Sequence, residues 1–315
     1  MEPNICRSAP VQKFYRLDYS EYFSKSFREL EVTELLKIRG LTQANSPKEA
    51  NIIITNSDTT VDNIPTSANL VIHPNSGYDR FSLEWLKSRD IPVIVGSPIR
   101  QIAVSEYYLS AIFHHFTSIP KYKNWDNERQ WPRSLISEKS VLILGEGHIG
   151  TYLRNALSPI CKNVKNYDPF KYPESSGPEL DKYNIIITAF GLNPSTKNFI
   201  DQSFLNKCKP DLLLLHASRG KQIVMEDLKK FLDTNKNAFA YVDVFPKEPY
   251  DYKKIDSNNI ICSSHIAGVY SDIEESLVKF ERDLIENFIN MPIDDFLKKY
   301  KQQNLNERRN HSFLI

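Results

Sequence analysis

The chain has 315 residues, 41% of them apolar and 25% charged, which suits two globular domains and excludes a largely disordered chain. Forty basic residues against thirty-nine acidic ones leave a formal net charge of +1. No global field therefore recruits nucleic acid or an anionic membrane, and the expected partners are small molecules or further subunits. Cys6, Cys161, Cys208 and Cys262 form no Cys-x-x-Cys pair, so neither a disulfide framework nor a metal site is expected. The N-terminus lacks a signal-like apolar core and no apolar run approaches the roughly 20 residues of a membrane span, so a cytoplasmic chain is expected.

The first hundred residues alternate strand-like and helix-like segments. Lys13 to Leu17, Asn51 to Thr55, Leu70 to Ile72 and Pro92 to Val95 are short β-branched or aromatic runs. Tyr22 to Lys37 and Phe81 to Arg89 carry apolar residues at helical spacing. This βα alternation predicts a parallel sheet covered by helices. Ile102 to Ile119 reads as one long helix able to cross between domains, and a polar stretch from Lys121 to Arg133 follows.

Six strands are then predicted: Val141 to Leu144, Val164 to Tyr167, Asn184 to Thr188, Leu212 to Leu215, Phe239 to Val242 and Ile260 to Cys262. Separated by helix-length segments, they fit a doubly wound nucleotide-binding sheet. Asp272 to Asn290 and Ile293 to Tyr300 read as helices, and Gln302 to Ile315 as a loose tail.

The first of the six runs straight into Gly145-Glu146-Gly147-His148-Ile149-Gly150, with a helix from Thr151 to Leu157. In such a loop the first glycine makes the turn, the second lets the backbone approach a pyrophosphate, and the third packs helix on strand. Asp168 ends the next strand, 168 − 150 = 18 residues beyond the last glycine. An acid there accepts hydrogen bonds from ribose hydroxyls and repels a 2′-phosphate, so NAD is expected over NADP, with nearby Lys171 softening the preference. A methyltransferase using S-adenosylmethionine shares this loop and stays open as an alternative.

Three later strands end in reactive side chains: Arg219 in His216-Ala217-Ser218-Arg219-Gly220, Glu248 in Asp243-Val244-Phe245-Pro246-Lys247-Glu248-Pro249, and His265 in Ser264-His265-Ile266-Ala267-Gly268. A guanidinium can hold a carboxylate and the adjacent carbonyl oxygen together. A carboxylate bonded to one ring nitrogen favours the imidazolium and is expected to raise the histidine above its reference pKa of about 6.5, making a proton donor near neutrality.

With these motifs in this order the chain resembles the D-isomer-specific 2-hydroxyacid dehydrogenase family. Further matches are Asn75-Ser76-Gly77-Tyr78-Asp79 to the family's Ser-Gly-x-Asp segment, Ala103-Val104-Ser105-Glu106 to Val-Ala-Glu, and Asn193-Pro194-Ser195-Thr196 to a Pro-x-Thr stretch. The similarity runs from about Ile52 to Ile273, and Met1 to Ala50 carries little of it.

The resemblance implies an α/β protein with a Rossmann-type doubly wound NAD-binding domain over residues 101–283. A smaller flavodoxin-like catalytic domain would combine residues 1–100 and 284–315, with a closing cleft between the two. Arg219 would bind and polarise a small 2-keto acid, His265 would exchange a proton with its carbonyl oxygen, and Glu248 would orient His265. Ser76, Gly77 and Tyr78 would hold the substrate carboxylate. The cofactor would meet Val104, Gly145, Gly147, His148, Ile149, Gly150, Asp168, Thr196, Ala217, Ser218 and Asp243, the last receiving the nicotinamide carboxamide. The family also implies a homodimer.

The chain departs from the family at His216, where asparagine is usual, at Ser264 in place of proline, at Ser105 in place of alanine, and at Ala189-Phe190-Gly191 in place of His-x-Pro. Tyr78 and the Ser97 to Gln101 loop are expected to select the substrate. The alternative of another class is a non-catalytic, NAD-responsive binding protein of corepressor type.

Overall fold

The computed structural model describes residues 11–17, 24–131, 133–173 and 177–308. Cys6, Tyr22, Phe23 and the chain beyond Arg308 lie outside them. The chain divides into two compact units: residues up to Arg100 together with those from Tyr270 onward, and Gln101–Val269.

In the first unit, β1 (Gln12–Arg16), α1 (Lys25–Leu35), β2 (Leu41–Gln43), β3 (Ile52–Ile54), β4 (Leu70–His73), α2 (Leu83–Ser88) and β5 (Val93–Val95) follow in order. The five strands pair in parallel as β2-β1-β3-β4-β5. Such a sheet is covered on both faces, which is why β3 is an unbroken Ile-Ile-Ile with no polar alternation. Ile52 and Ile54 face a cluster with Phe14 and Leu35, whereas Ile53 faces the opposite cluster with Phe81, Trp85 and Leu86.

Helix α3 (Ser97–Thr117) starts earlier than the sequence predicts, because Pro98 fits a first helical turn, and Ser97 to Gln101 is thus helix rather than loop. The division between the units falls inside that turn.

The second unit contains β6 (Ser140–Leu144), α4 (His148–Leu157), β7 (Asn163–Tyr167), β8 (Ile185–Thr188), α5 (Gln202–Leu205), β9 (Leu213–His216), α6 (Met225–Thr234), β10 (Phe239–Val242) and β11 (Ile260–Cys262). The parallel order β11-β10-β9-β8-β6-β7 reverses between β6 and β8. Ligands of such sheets bind beyond the carboxyl ends of strands at this switch point. Alternate residues fill the two sides: Leu142 and Leu144 with Ile186 and Leu214, and Val141 and Ile143 with Ile185, Ile187 and Leu215.

The chain returns to the first unit at Tyr270 and not at Leu284. The reason is α7 (Ile273–Asn290), whose early Leu277 and Val278 already pack with Phe27, and whose later Leu284 and Ile285 join the Phe14 cluster. Then come α8 (Ile293–Lys299) and α9 (Leu305–Arg308). The expected loose tail is therefore ordered up to Arg308. Leu305 is buried with Val93 and Val95, Val95 N–H donates to the Gln303 carbonyl at 3.0 Å, and Asn304 Oδ1 accepts Val93 N–H at 3.3 Å.

A buried ion cluster ties β1, α1 and α7. Arg16 Nε donates to Glu31 Oε1 at 2.6 Å, and its Nη2 to Glu281 Oε1 at 2.5 Å. Burial alone would lower the Arg16 pKa, but the two carboxylates overrule it and raise it. Burial, together with the Glu31 carboxyl, pushes Glu281 well above the usual carboxylate range against the pull of Arg16. Among the described residues no helix is long and apolar enough to cross a membrane.

Candidate active site

The glycine loop leaves β6 at the switch point. Gly145 has φ +113°, and a Cβ there would lie 2.7 Å from the Ala189 carbonyl at the end of β8. A Cβ on Gly150 would lie 2.2 Å from the Gly145 oxygen. The fold itself thus demands these two glycines. Gly147 differs, since a Cβ there would meet no atom within 4 Å, and it stands as N-cap of the ten-residue α4. Open space against helix-terminal N–H groups fits a cofactor phosphate. His148 and Ile149 form the first turn of that helix, and the His148 carbonyl accepts Gln101 Nε2 at 3.2 Å.

Asp168 follows directly after β7. It is only 7% exposed, and its Oδ2 accepts Glu146 N–H at 2.9 Å while Oδ1 accepts Phe170 and Lys171 N–H at 3.2 and 3.1 Å. Its carboxylate fastens the glycine loop to the end of β7. Beside it, Glu146 pairs with Arg154 at 2.9 Å and lies 4.0 Å from Lys171, so charges of both signs border the loop.

Thr196 likewise faces inward at 1% exposure, with its Oγ1 donating to the Gly191 carbonyl and accepting Asn193 N–H, both at 2.8 Å. Buried Ala217 donates its N–H to the Tyr108 hydroxyl at 2.9 Å, and that hydroxyl donates to the Thr188 carbonyl at 2.6 Å. Ser218 Oγ lies 2.8 Å from Thr188 Oγ1 and 2.5 Å from Gln222 Oε1, and Thr188 Oγ1 lies 3.0 Å from His216 Nδ1. Burial drives the His216 pKa down to about 3, so at working pH the ring is neutral. Val104 is half-buried on α3, against the Tyr108 side of the second unit's core.

Strands β9, β10 and β11 run in register, with His216 opposite Val242 and Val242 opposite Cys262. The three segments beyond them therefore leave neighbouring strand ends and carry Arg219, Glu248 and His265. A Cβ on Gly220 would lie 2.0 Å from the Phe245 carbonyl, so only glycine lets the Arg219 turn pass the segment leading to Glu248. Arg219 N–H is held by Gln222 Oε1 at 3.2 Å, and its Nη1 donates to the Ser218 carbonyl at 2.7 Å.

Glu248 and His265, 17 residues apart in sequence, meet at 2.8 Å through Oε2 and Nδ1. The other Glu248 oxygen accepts Phe245 N–H at 2.9 Å. The His265 side chain is 56% exposed, so its far nitrogen is accessible while Nδ1 is taken. His265 has φ +56°, the left-handed region that few non-glycine residues adopt. Asp243, expected at the carboxamide, is fully buried, and both its carboxylate oxygens are bonded to the segment that carries His265.

In the first unit, Ser76, Gly77 and Tyr78 follow β4. Buried His73 sits under them with Nδ1 2.8 Å from Thr55 Oγ1 and Nε2 2.8 Å from the Gly77 carbonyl. Ser76 Oγ is buried without a hydrogen-bond partner. Tyr78 packs partly on the cluster of Phe81 and Trp85.

Reading the chain from its residues misses His73, Tyr108, Thr188, Gln222 and Ser263, which hold these loops from beneath. Gln222, three residues after Arg219, and Ser263, two before His265, were the findable ones by spacing; the partners of Tyr108 and Thr188 lie far away in sequence. Among the described residues no group of His, Cys, Asp and Glu side chains is arranged to hold a metal ion.

The sequence profile described as "D-isomer specific 2-hydroxyacid dehydrogenase, NAD binding domain" matches residues 109–267. A hydroxypyruvate reductase of Blautia hydrogenotrophica is 23% identical over 236 residues, 68% of this chain and 73% of the relative. An erythronate-4-phosphate dehydrogenase of Legionella pneumophila is 25% identical over 243 residues, 74% of this chain but only 64% of the relative, just under two thirds of its length. The crystal structure of an NAD+-bound 3-phosphoglycerate dehydrogenase of Entamoeba histolytica superposes with a TM-score of 0.68 at 16% identity, covering 88% of this chain and 95% of that one, a likeness of fold. This chain belongs to the D-isomer specific 2-hydroxyacid dehydrogenase family, oxidoreductases that act on 2-hydroxy acids.

Proposed function

We propose that the protein is an NAD-dependent D-2-hydroxyacid dehydrogenase that interconverts a small 2-keto acid and its 2-hydroxy acid. The observation that carries this reading is the 2.8 Å contact of His265 with Glu248, one strand end away from Arg219. The second unit is the proposed nucleotide domain, and Ser76, Gly77 and Tyr78 in the first are a proposed carboxylate-binding loop.

A bound nicotinamide supplies the hydride. Arg219 binds the substrate's carboxylate and draws electron density from the keto oxygen through its planar donor pair. His265 gives a proton to that oxygen in reduction and takes it back in oxidation. Glu248 is a positioning residue: it occupies Nδ1 and thereby leaves the other ring nitrogen for the substrate. A proton is consumed in reduction, so lower pH favours the hydroxy acid.

NAD is preferred over NADP in this reading because Asp168 and Glu146 place carboxylates beside the glycine loop, although Arg154 and Lys171 partly offset them. A homodimer is proposed, supported by the exposed apolar Ile119 and Trp125 in the stretch after α3. Free thiols at Cys161, Cys208 and Cys262 suit a reducing compartment such as the cytoplasm.

The test is NADH and NADPH oxidation followed across a panel of 2-keto acids, phosphorylated and long-chain members included. Turnover of at least one acid that disappears in His265→Asn, with NADH binding kept, is the expected result. NADH binding without turnover on any acid would instead favour a cofactor-responsive binding protein.

A further inference from the structure

Gln222 is fully buried, and its amide group lies between two loops that follow the neighbouring strands β8 and β9. Its Nε2 donates to the Gly191 carbonyl at 2.9 Å and to the Phe190 carbonyl at 3.1 Å, in the segment after β8. Its Oε1 accepts Ser218 Oγ at 2.5 Å and Arg219 N–H at 3.2 Å, in the segment after β9. One side chain thus joins the two loops and reaches the backbone of the residue that carries the guanidinium.

The neighbours dictate which way the amide points. Carbonyl oxygens only accept and a backbone N–H only donates, so turning the amide over would set donor against donor and acceptor against acceptor. Ser218 consequently gives its hydroxyl proton to Gln222 Oε1. The backbone of Gln222 is anchored as well, since its carbonyl accepts Ile200 N–H at 2.9 Å and its N–H donates to the Arg219 carbonyl at 3.0 Å.

The bridge falls where the sequence restricts the backbone little. Gly191 stands in place of the proline of the His-x-Pro segment that the family resemblance leads one to expect, so no ring stiffens the loop after β8. The two bonds from Gln222 Nε2 supply that restriction. On the other side, Gly220 lets the Arg219 turn pass close to Phe245, and the Arg219 amide is tied back to Gln222 Oε1.

We propose that Gln222 is a positioning residue that holds the loop after β8 and the Arg219 turn in one fixed relation, and acts on the reaction through Arg219. The proposal rests on the reading of Arg219 as the group that binds and polarises the keto acid.

Glutamate is the informative replacement. In Gln222→Glu one oxygen still accepts Ser218 and Arg219, while the other faces two carbonyl oxygens where two N–H donors stood. Burial and these dipoles disfavour the charged form, and on protonation the new O–H donates to one of the two carbonyls. The bridge is therefore broken at high pH and partly restored at low pH. His216, reached from Ser218 through Thr188 Oγ1, stays neutral in this range because burial lowers its pKa to about 3.

The test measures kcat and KM for a turned-over keto acid at saturating NADH, the NADH Kd, and amide hydrogen exchange at position 219. The parent, Gln222→Leu, Gln222→Glu and Arg219→Leu are compared as full-length proteins, with kinetics from about pH 6 to 8.5. In Gln222→Leu, kcat/KM should fall by roughly 10- to 100-fold, as misplacement of a reacting group by about 1 Å does, and the amide should exchange about 10-fold faster or more. In Gln222→Glu the loss should be similar at the upper pH, and kcat/KM relative to the parent should recover by about threefold or more at the lower one. If Gln222→Leu does not fold, Gln222→Glu carries the comparison by itself, because the same variant is read with the bridge broken and restored.

Unchanged kcat/KM and exchange in both Gln222 variants would overturn the bridge. So would a ratio of Gln222→Glu to the parent that stays flat with pH, since the bonds to Phe190 and Gly191 would then have no effect on the reaction. A loss confined to the NADH Kd, with kcat/KM kept at saturating NADH, would tie Gln222 to the loop after β8 alone and overturn the link to Arg219. Arg219→Leu separates the two readings: kinetics kept there remove the role of Arg219 and the link to the reaction with it, while slow exchange at position 219 in that variant still reports an intact bridge.

Discussion

Glu248 holds His265 with one carboxylate oxygen and its own chain with the other, Oε2 at 2.8 Å from His265 Nδ1 and Oε1 at 2.9 Å from Phe245 N. The carboxylate is fixed before it meets the imidazole. Glu248→Gln keeps the shape and the Phe245 bond but turns an NH2 group toward Nδ1, which then has to act as acceptor, and the far nitrogen carries the proton in the neutral ring. The cation loses its partner. We expect kcat for keto-acid reduction to fall by about 10²-fold, in the range of general acid contributions, with KM changed little. Steady-state kinetics at saturating NADH check this, and an equal loss for Glu248→Gln in NADH binding would point away from His265.

Gly220 supports the site through its backbone, packed against Phe245. Because a Cβ would sit 2.0 Å from the Phe245 carbonyl, Gly220→Ala must push the Arg219 turn away from the Glu248 segment. Overpacking of this kind costs about 1–3 kcal/mol. The variant should melt several degrees lower and lose activity out of proportion to its stability, since Arg219 moves with the turn. A Tm and a kcat/KM indistinguishable from the parent would mean that the backbone yields without cost.

Strand positions were largely legible because fully buried parallel strands write themselves as apolar runs, as Ile52-Ile53-Ile54 and Leu212 to Leu215 do. Edge strand β2, Leu-Thr-Gln, buries only Leu41 and carried no such signal. Helix α9 was missed because Leu305 alone anchors it. Arg219, Glu248 and His265 follow three successive strands, as their places in the sequence indicate, and Glu248 meets His265 at 2.8 Å. The inward aim of Asp168 and Thr196 was not readable, since the donors that claim them are backbone N–H groups, which leave no trace in residue identity, and Asp243 accepts two more of these besides the Ser263 hydroxyl.

The Arg16, Glu31 and Glu281 cluster makes the stability of the first unit depend on pH. Glu281 has its pKa raised by burial above the ordinary 4.5, so the folded state holds a proton that the unfolded chain releases. The stabilising contribution is complete below about pH 4.5 and is lost as pH climbs toward and past neutrality, at no more than about 1.4 kcal/mol per pH unit. Glu281→Gln fixes the neutral form. Thermal melts from about pH 5 to 8.5 should show a shallower decline in Glu281→Gln than in the parent, and parallel curves would remove Glu281 as the source.

His216 acts in the opposite sense. Burial lowers its pKa from 6.5 to about 3, so the folded protein keeps the ring neutral where the unfolded chain binds a proton. Stability from this group is present above about pH 6.5 and is lost as pH falls toward 3, again by up to about 1.4 kcal/mol per pH unit. Its neutral ring also keeps Thr188 Oγ1 at 3.0 Å, one bond from Ser218 and two from Gln222, which holds the Arg219 amide. His216→Asn removes the titration while retaining polar atoms, so melts between about pH 4 and 6.5 should flatten relative to the parent. The substrate KM should rise at neutral pH because the support of the Arg219 turn changes. An acid limb as steep in His216→Asn as in the parent would assign the acid sensitivity to other groups, and an unchanged KM would show that the Arg219 turn does not need His216.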